Sequence, residues 1–314
     1  MCRIESKDYY VLPDGQDNII RCSVKGKFKL DFNLKKDKLY KTDFAVTGDY
    51  IEYDLNEDKT GVIYKILPRK NYISRKAPKI KGASYRGERL EQVGVANIDQ
   101  MFIVSSFVNP IFNNKVIDRF LVTAESAACE PIIIVNKIDL DDNNDIEPWL
   151  ELYSDIGYKV IPVSAKKNLN INSIKELLPN KKSFFWGHSG VGKSSILNSI
   201  FPDLQLATNS ISASTSKGKH TTVTTLMVKV AKDTFVIDTP GIREIDPYGI
   251  RKEDLGHYFI EFKEYINNCK FNTCTHQHEP GCAIIEAVEN GKISEFRYDS
   301  YLRMLDTVEE DILF

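Results

Sequence analysis

Apolar and polar positions follow three different rhythms along this chain. Over residues 9–67 the apolar stretches are short: Tyr9–Leu12, Asn18–Val24, Lys27–Leu30, Phe44–Tyr53 and Gly61–Leu67. Turn signals such as Pro13-Asp14-Gly15 and Lys25-Gly26 part them. Five short strands in this space predict a small all-β barrel of the OB type, and other small barrels match the pattern nearly as well.

From residue 101 onward strand and helix alternate. Met101–Phe107, Pro131–Val135, Lys159–Val163 and Ser183–Trp186 read as buried strands. Val116–Cys129, Glu147–Ile156, Ile171–Leu178 and Lys193–Phe201 carry helical spacing between and after them. Thr224–Val230 and Thr234–Ile237 form a ribbon around Ala231-Lys232-Asp233. Such alternation predicts an α/β domain, with a mostly parallel sheet covered by helices on both faces. The last seventy or so residues change character again: His257–Ile266, Ala283–Glu289 and Ser294–Asp311 read as helices around a Cys/His cluster.

Between the first two regions, Lys65 to Arg89 holds nine basic residues against one acidic, Glu88, without a hydrophobic period. It reads as a linker or loop. The expected organisation is therefore a barrel over 1–70, a basic linker over 71–95, an α/β domain over 96–243 and a helical metal-binding module over 244–314.

Composition narrows the class only a little. With 42% hydrophobic and 27% charged residues the chain is that of a globular protein. Its net charge of -2 carries no argument for nucleic acid. Charge is uneven, however. Residues 21–41 hold eight basic residues against Asp31 and Asp37, interleaved with Phe28, Phe32 and Tyr40. On an OB-type barrel that mixture suits RNA contact; a solvated lysine face is the plainer reading. No stretch approaches the about 18 apolar residues of a membrane span, and the N-terminus lacks a signal-peptide core, so a cytoplasmic, non-membrane protein is expected.

Gly187-His188-Ser189-Gly190-Val191-Gly192-Lys193-Ser194 matches G-x-x-x-x-G-K-[ST], between a strand and a helix that runs on through Ser195. Glycines let backbone N–H groups turn inward on phosphate oxygens, and the helix N-terminus adds its dipole. Lys193 is then the group for the β- and γ-phosphates, and Ser194 the hydroxyl for Mg²⁺. Asp238-Thr239-Pro240-Gly241 follows an apolar strand. Asp238 suits the metal's water shell and Gly241 an N–H to the γ-phosphate.

Asn136-Lys137-Ile138-Asp139 closes another apolar strand. An ionised Asp139 accepts only, so it pairs with a base edge offering two adjacent N–H donors, as guanine does and adenine does not. Asn136 would tie this segment to the phosphate loop, and the Lys137 stem would lie against the base. Ser164-Ala165-Lys166 would add a backbone N–H to the base oxygen. Together these motifs form the full GTPase set, with GTP/GDP and Mg²⁺ as ligands.

Their order is unusual. The base motifs at 136 and 164 precede the phosphate loop at 187, so the domain is circularly permuted. The switch segment and D-x-x-G then lie next to the C-terminal module, where their motion could pull on it.

Near the C-terminus, Cys269-x4-Cys274-x-His276-x5-Cys282 supplies three thiolates and one imidazole, a closed tetrahedral set suited to one structural zinc. His278 competes with His276 for the fourth place.

A permuted G domain after a small barrel and before C-x4-C-x-H-x5-C resembles the bacterial small-ribosomal-subunit biogenesis GTPases of the RsgA (YjeQ/YloQ) family. The resemblance extends to Ala96-Asn97-Ile98-Asp99-Gln100, Gly218-Lys219-His220-Thr221-Thr222, Cys274-Thr275-His276 and Glu279-Pro280-Gly281-Cys282. It implies a GTPase that is slow alone, stimulated by the small (30S) subunit, and active late in subunit maturation. It also implies rRNA contact and favours His276 as the ligand. A monomer is expected. The glutamine that often follows D-x-x-G to orient water is replaced by Ile242, and the resemblance assigns that role to His220. Thr221 or Thr222 would give the switch hydroxyl to Mg²⁺, with Thr222 preferred. The alternative is a nucleotide-gated RNA-binding switch in which turnover is incidental. A small-molecule ATPase or kinase conflicts with Asp139.

Overall fold

The computed structural model describes residues 1–5, 7–26, 45–76, 91–204, 225–238 and 249–308. The chain divides into two compact units. The first comprises Met1–Met101, Lys175–Ser189 and Ala207–Tyr248; the second comprises Phe102–Ile174, Gly190–Leu206 and Gly249–Phe314. Among the described residues no helix is long and apolar enough to cross a membrane.

In the first unit, β1 (Arg3–Glu5), β2 (Asp8–Val11), β3 (Ile20–Val24), β4 (Ile51–Leu55) and β5 (Gly61–Ile66) form one sheet in the order β1-β2-β3-β5-β4. Neighbours are antiparallel except β3 and β5, which run parallel. Val11, Cys22 and Ile63 are its buried centre. Position 61 takes glycine because a Cβ there would lie 2.5 Å from Cys22 Sγ. The expected strand Lys27–Leu30 lies outside the described residues. The expected strand Phe44–Tyr53 begins only at Ile51, because Val46–Asp49 makes a turn with Gly48 at φ 94°.

The basic stretch expected as a linker is strand at both described ends. β6 (Tyr72–Lys76) pairs antiparallel with β7 (Glu91–Ala96). Ile73, Val93 and Val95 are buried, and this apolar alternation outweighs the basic residues that suggested a loop. In the same unit β11 (Lys182–Trp186) runs parallel to β13 (Thr234–Asp238), and β12 (Leu226–Ala231) is antiparallel to β13. Buried Ser183 is satisfied by Gln100, whose amide also donates to Leu177 O.

In the second unit, β9 (Glu130–Asn136) and β10 (Lys159–Pro162) are parallel. β8 (Gln100–Ser106) lies on the other side of β9, giving the order β10-β9-β8. The near-continuous apolar runs of β8 and β9 are what a strand buried on both faces requires. Helix α1 (Asn114–Ser126) is capped by Asn113, and α2 (Glu147–Ile156) ends on Gly157 in the left-handed region. α3 spans Ile171–Lys175 and α4 Lys193–Ile200.

The C-terminal part contains α5 (Lys252–Leu255), α6 (Ala283–Glu289) and α7 (Glu295–Thr307). The helix expected over His257–Ile266 is instead a series of 3₁₀ turns, interrupted at Phe259, which is extended (φ −95°, ψ 105°). Burial overrides the helical spacing here. The break lets Phe259 and Phe262 stack at 5.1 Å while Glu261 turns towards Arg297.

Arg297 on α7 is fully buried. It donates to Asp118 on α1 and to both oxygens of Glu261 (2.6 and 3.1 Å), and Tyr153 on α2 donates to Asp118 at 2.6 Å. Its guanidinium lies 4.6 Å from the Phe259 ring centre. Burial alone would lower the Arg297 pKa, but the two carboxylates outweigh it and the group stays charged. Removing one member of a buried ion pair strands the others. Arg297→Ala is therefore expected to lower unfolding stability by about 3–5 kcal/mol. Arg303→Ala, which breaks an exposed pair with Asp299, should cost under about 1 kcal/mol. Urea unfolding of both variants checks this, and equal effects would contradict it.

Candidate guanine-nucleotide site and metal cluster

Parallel strands deliver the motif residues at their C-terminal ends, where α/β sheets bind ligands. In the second unit Val135 stands opposite Pro162, so Asn136 and Ser164 leave β9 and β10 at nearly the same level. In the first unit Phe185 stands opposite Asp238, so the glycine-rich loop leaves β11 where β13 ends.

Asn136 is buried and joins three loops. Its Nδ2 donates to Val191 O at 2.9 Å, and its Oδ1 accepts from Ala165 N–H at 3.1 Å. Gly192 sits directly against it: at φ 100°, a Cβ on residue 192 would lie 2.2 Å from Asn136 Nδ2. Gly190 is also left-handed, at φ 83°. Left-handed glycines at alternate positions let successive N–H groups point to one side, the geometry of an anion nest. Helix α4 then starts at Lys193.

Lys137, itself at φ 65°, donates to Asn109 O and to Gly190 O at 2.8 Å. Burial lowers its pKa. It thus stitches the base loop to the phosphate loop a second time. Asn109, whose carbonyl takes part, carries no sequence signal for this role. Asp139 lies in a 3₁₀ turn, and one of its oxygens accepts from Ser164 Oγ at 2.5 Å. A carboxylate offers about four lone-pair positions, so this bond leaves acceptor capacity. In the Ser164-Ala165-Lys166 segment the Ala165 N–H is donated to Asn136 Oδ1.

Asn136, Lys137, Asp139, Ser164, Ala165, Gly190, Val191, Gly192, Lys193, Ser194 and Ser195 all fall in the second unit, and Gly187, His188, Ser189 and Asp238 in the first. His220, Thr221, Thr222, Gly241 and Ile242 lie outside the described residues.

The cysteine cluster also assembles. Ligand atoms of Cys269, Cys274, His276 and Cys282 lie within 4.8 Å of one another. His276 Nδ1 is 3.6 Å from Cys269 Sγ and 3.4 Å from Cys282 Sγ. These spacings and the donor set fit one tetrahedral metal ion. His276 is at φ 55° and buried, and Gly256 packs against its ring. His278 is exposed and gives its N–H to Glu279. Burial pushes the Cys274 thiol up to about 12, so a bound cation must displace protons.

Sequence reasoning gave Glu279 no role, yet its carboxylate organises the ligand loop. It accepts from Thr275 N–H (2.7 Å), Thr275 Oγ (2.5 Å), Gln277 N–H (2.9 Å) and His278 N–H (3.2 Å). Burial would raise its pKa, and these bonds prevail and hold it at about 2. Tyr298 and Tyr301 on α7 donate to His276 O and Thr275 O.

The RsgA GTPase family model matches residues 66–248. The chain is 40% identical over 273 residues to "Small ribosomal subunit biogenesis GTPase RsgA" of Chlorobaculum parvum, covering 86% of this chain and 87% of the relative. The chain belongs to the RsgA GTPase family. A second relative, "Small ribosomal subunit biogenesis GTPase RsgA 2" of Bacteroides thetaiotaomicron, is 39% identical over 300 residues, with 95% and 92% covered. The crystal structure of YjeQ from Thermotoga maritima superposes with a TM-score of 0.75 at 34% identity, covering 98% of this chain and 96% of that one. That of "YloQ, a circularly permuted GTPase" gives 0.68 at 29% identity, with 100% and 95% covered. Like other members of the RsgA GTPase family, the chain is a GTP-hydrolysing enzyme, with GTP/GDP and Mg²⁺ as its ligands.

Two outcomes follow from this geometry. Gly192→Ala should push the Asn136 amide off Val191 and weaken GDP binding about ten- to a hundredfold, the cost of disrupting a buried hydrogen bond; a GDP titration within twofold of the parent would contradict it. Glu279→Gln should speed metal loss to a chelator and weaken metal affinity about 10–100-fold. Because the folded Glu279 pKa is depressed from 4.5, its contribution is complete above that value and lost as pH falls towards 2. Metal release measured down this range should begin at higher pH in the variant.

Proposed function

We propose that this chain hydrolyses GTP as a late assembly factor of the small ribosomal subunit, slow alone and stimulated by the subunit. The observation that carries the reading is the Asn136 linkage, which joins N-K-x-D, S-A-K and the phosphate loop despite their permuted order. The partner follows from the relatives, which are small ribosomal subunit biogenesis GTPases by name.

In this reading Asp139 pairs with guanine N1–H and the 2-amino group, and the Lys137 stem covers the base. Loop N–H groups from Gly187 to Ser195 and the Lys193 ammonium hold the phosphates. Ser194 and Thr222 bind Mg²⁺, Asp238 its water shell, and the Gly241 N–H the γ-phosphate. Zinc is the ion for Cys269, Cys274, His276 and Cys282. Its part is structural, since the four protein ligands leave no open position. The N-terminal region is the OB-type barrel, and its basic stretches are the rRNA-facing surface. The protein works as a cytoplasmic monomer.

Ile242 cannot hydrogen-bond a water, so turnover needs a group brought in by the subunit. We assign that role to His220. Turnover with and without purified small subunits tests the function, and subunits that leave the rate unchanged would overturn it. His220→Ala should keep GDP affinity and lose on the order of a hundredfold of the stimulated rate. Loss of subunit binding with an unchanged basal rate would make His220 a docking contact instead.

A further inference from the structure

Strand β8 ends on Ser106, and the chain turns over residues 107–112 before it enters α1. Three hydrogen bonds shape this turn. Phe107 N–H donates to Asn136 O at 3.0 Å, so the turn leaves β8 at the level of the base motif. Phe112 N–H donates back to Phe107 O at 3.0 Å and closes the turn. Across its middle, Ser106 Oγ donates to Pro110 O at 2.8 Å, from a side chain that is buried. On the outer side the Phe112 ring packs against Trp149 of α2, with ring centres 5.4 Å apart.

The turn presents one carbonyl to the nucleotide loops. Asn109 O accepts from Lys137 Nζ, and the same ammonium donates to Gly190 O at 2.8 Å. All three residues that meet there have left-handed backbone: Asn109 at φ 52°, Lys137 at φ 65° and Gly190 at φ 83°. Outside glycine that conformation costs energy and persists only where the surroundings enforce it, with asparagine paying less than most. At Asn109 the enforcing contact is the Ser106 bond to the next carbonyl along the chain. Pro110 also lies beside the phosphate loop, since a Cβ on residue 190 would sit 3.8 Å from Pro110 Cδ. Every residue in this chain of contacts belongs to the second unit.

We propose that Ser106 is a positioning residue for guanine-nucleotide binding, its hydroxyl fixing the 107–112 turn so that Asn109 O holds the Lys137 ammonium against the phosphate loop. Ser106 belongs to none of the sequence motifs and acts through the turn. Without it the Asn109 carbonyl is free to swing away, and the ammonium keeps Gly190 O alone. The lysine stem then gains rotamer freedom, which nucleotide binding must remove again. The proposal rests on the reading of Asn136-Lys137-Ile138-Asp139 as the base loop.

The test is GDP affinity and GDP release rate, measured with Mg²⁺, for the parent and for Ser106→Ala, Asn109→Val, Asn109→Gly, Lys137→Ala and the double variant Ser106→Ala/Lys137→Ala. Ser106→Ala should bind GDP about three- to tenfold more weakly and release it faster, the range for one hydrogen bond. Asn109→Val keeps the carbonyl but resists a left-handed φ, so it should show a loss of similar size. Asn109→Gly accepts that φ and should lie closer to the parent than the valine variant does. In the Lys137→Ala background, Ser106→Ala should cost little more, because the carbonyl has no ammonium left to hold. Parent-like GDP binding by Ser106→Ala, or a loss that stays the same size in the Lys137→Ala background, overturns the proposal. Should Ser106→Ala fail to fold, the two Asn109 variants decide, and equal GDP affinities for them overturn it. If Lys137→Ala itself binds GDP like the parent, the base-loop reading fails and takes the proposal with it. If Lys137→Ala weakens binding while Ser106→Ala does not, the proposal alone falls.

Discussion

One buried amide holds the nucleotide-site loops of the second unit together. Asn136 gives its N–H to the phosphate loop and its oxygen to the S-A-K loop, at a point where residue 192 has no side chain to obstruct it. The amide donates through Nδ2 and accepts through Oδ1, so one short side chain serves both loops. Asn136 is buried, so losing its Val191 partner leaves a desolvated polar group, which costs more than the bond itself contributes. The arrangement depends on where strands end rather than on the order in which the chain visits them. β9 and β10 end level with each other, as do β11 and β13, and this is why a permuted chain can build the same loops.

The C-terminal module uses the same device with charges. Arg297 is buried against two carboxylates, and Glu279 is wrapped by four donors of its own loop. A buried ion pair of this kind is poor value for stability but tolerates few alternative arrangements. On α7, Arg297 grips α1 while the adjacent Tyr298, and Tyr301 one turn on, grip the carbonyls of Thr275 and His276. One helix therefore sets both the position of the module on α1 and the shape of its ligand loop.

Much of this was legible in the sequence because it repeats local patterns. The strands β9 and β11 announce themselves as apolar runs, α2 and α6 begin and end as their spacing suggests, and the cysteine spacing points to a cluster, with His276 and His278 both open for its fourth place. What escaped was set by contacts distant in sequence. Phe259 breaks an expected helix because its ring and the Glu261 carboxylate are drawn to partners on α7. Residues 72–76 look like linker because Arg75 and Lys76 continue a basic run, and 91–96 because they follow it directly; their strand alternation becomes visible only when the two pair. Asn109 and Glu279 act through a carbonyl and a set of backbone N–H groups, which no side-chain motif encodes. Within Ser164-Ala165-Lys166 the Ala165 N–H is committed to Asn136, a contact that the three-residue motif does not encode.

The central claim is that these loops form one site that selects guanine. Calorimetric titration of the intact protein with GDP and with ADP in the presence of Mg²⁺ tests it most directly. An acceptor matched to two base donors, and covered once the base is bound, rejects a base that lacks them by on the order of 10⁴-fold, so GDP should bind that much more tightly. Comparable affinity for the two nucleotides would contradict the assignment of Asp139 and, with it, the reading of the site.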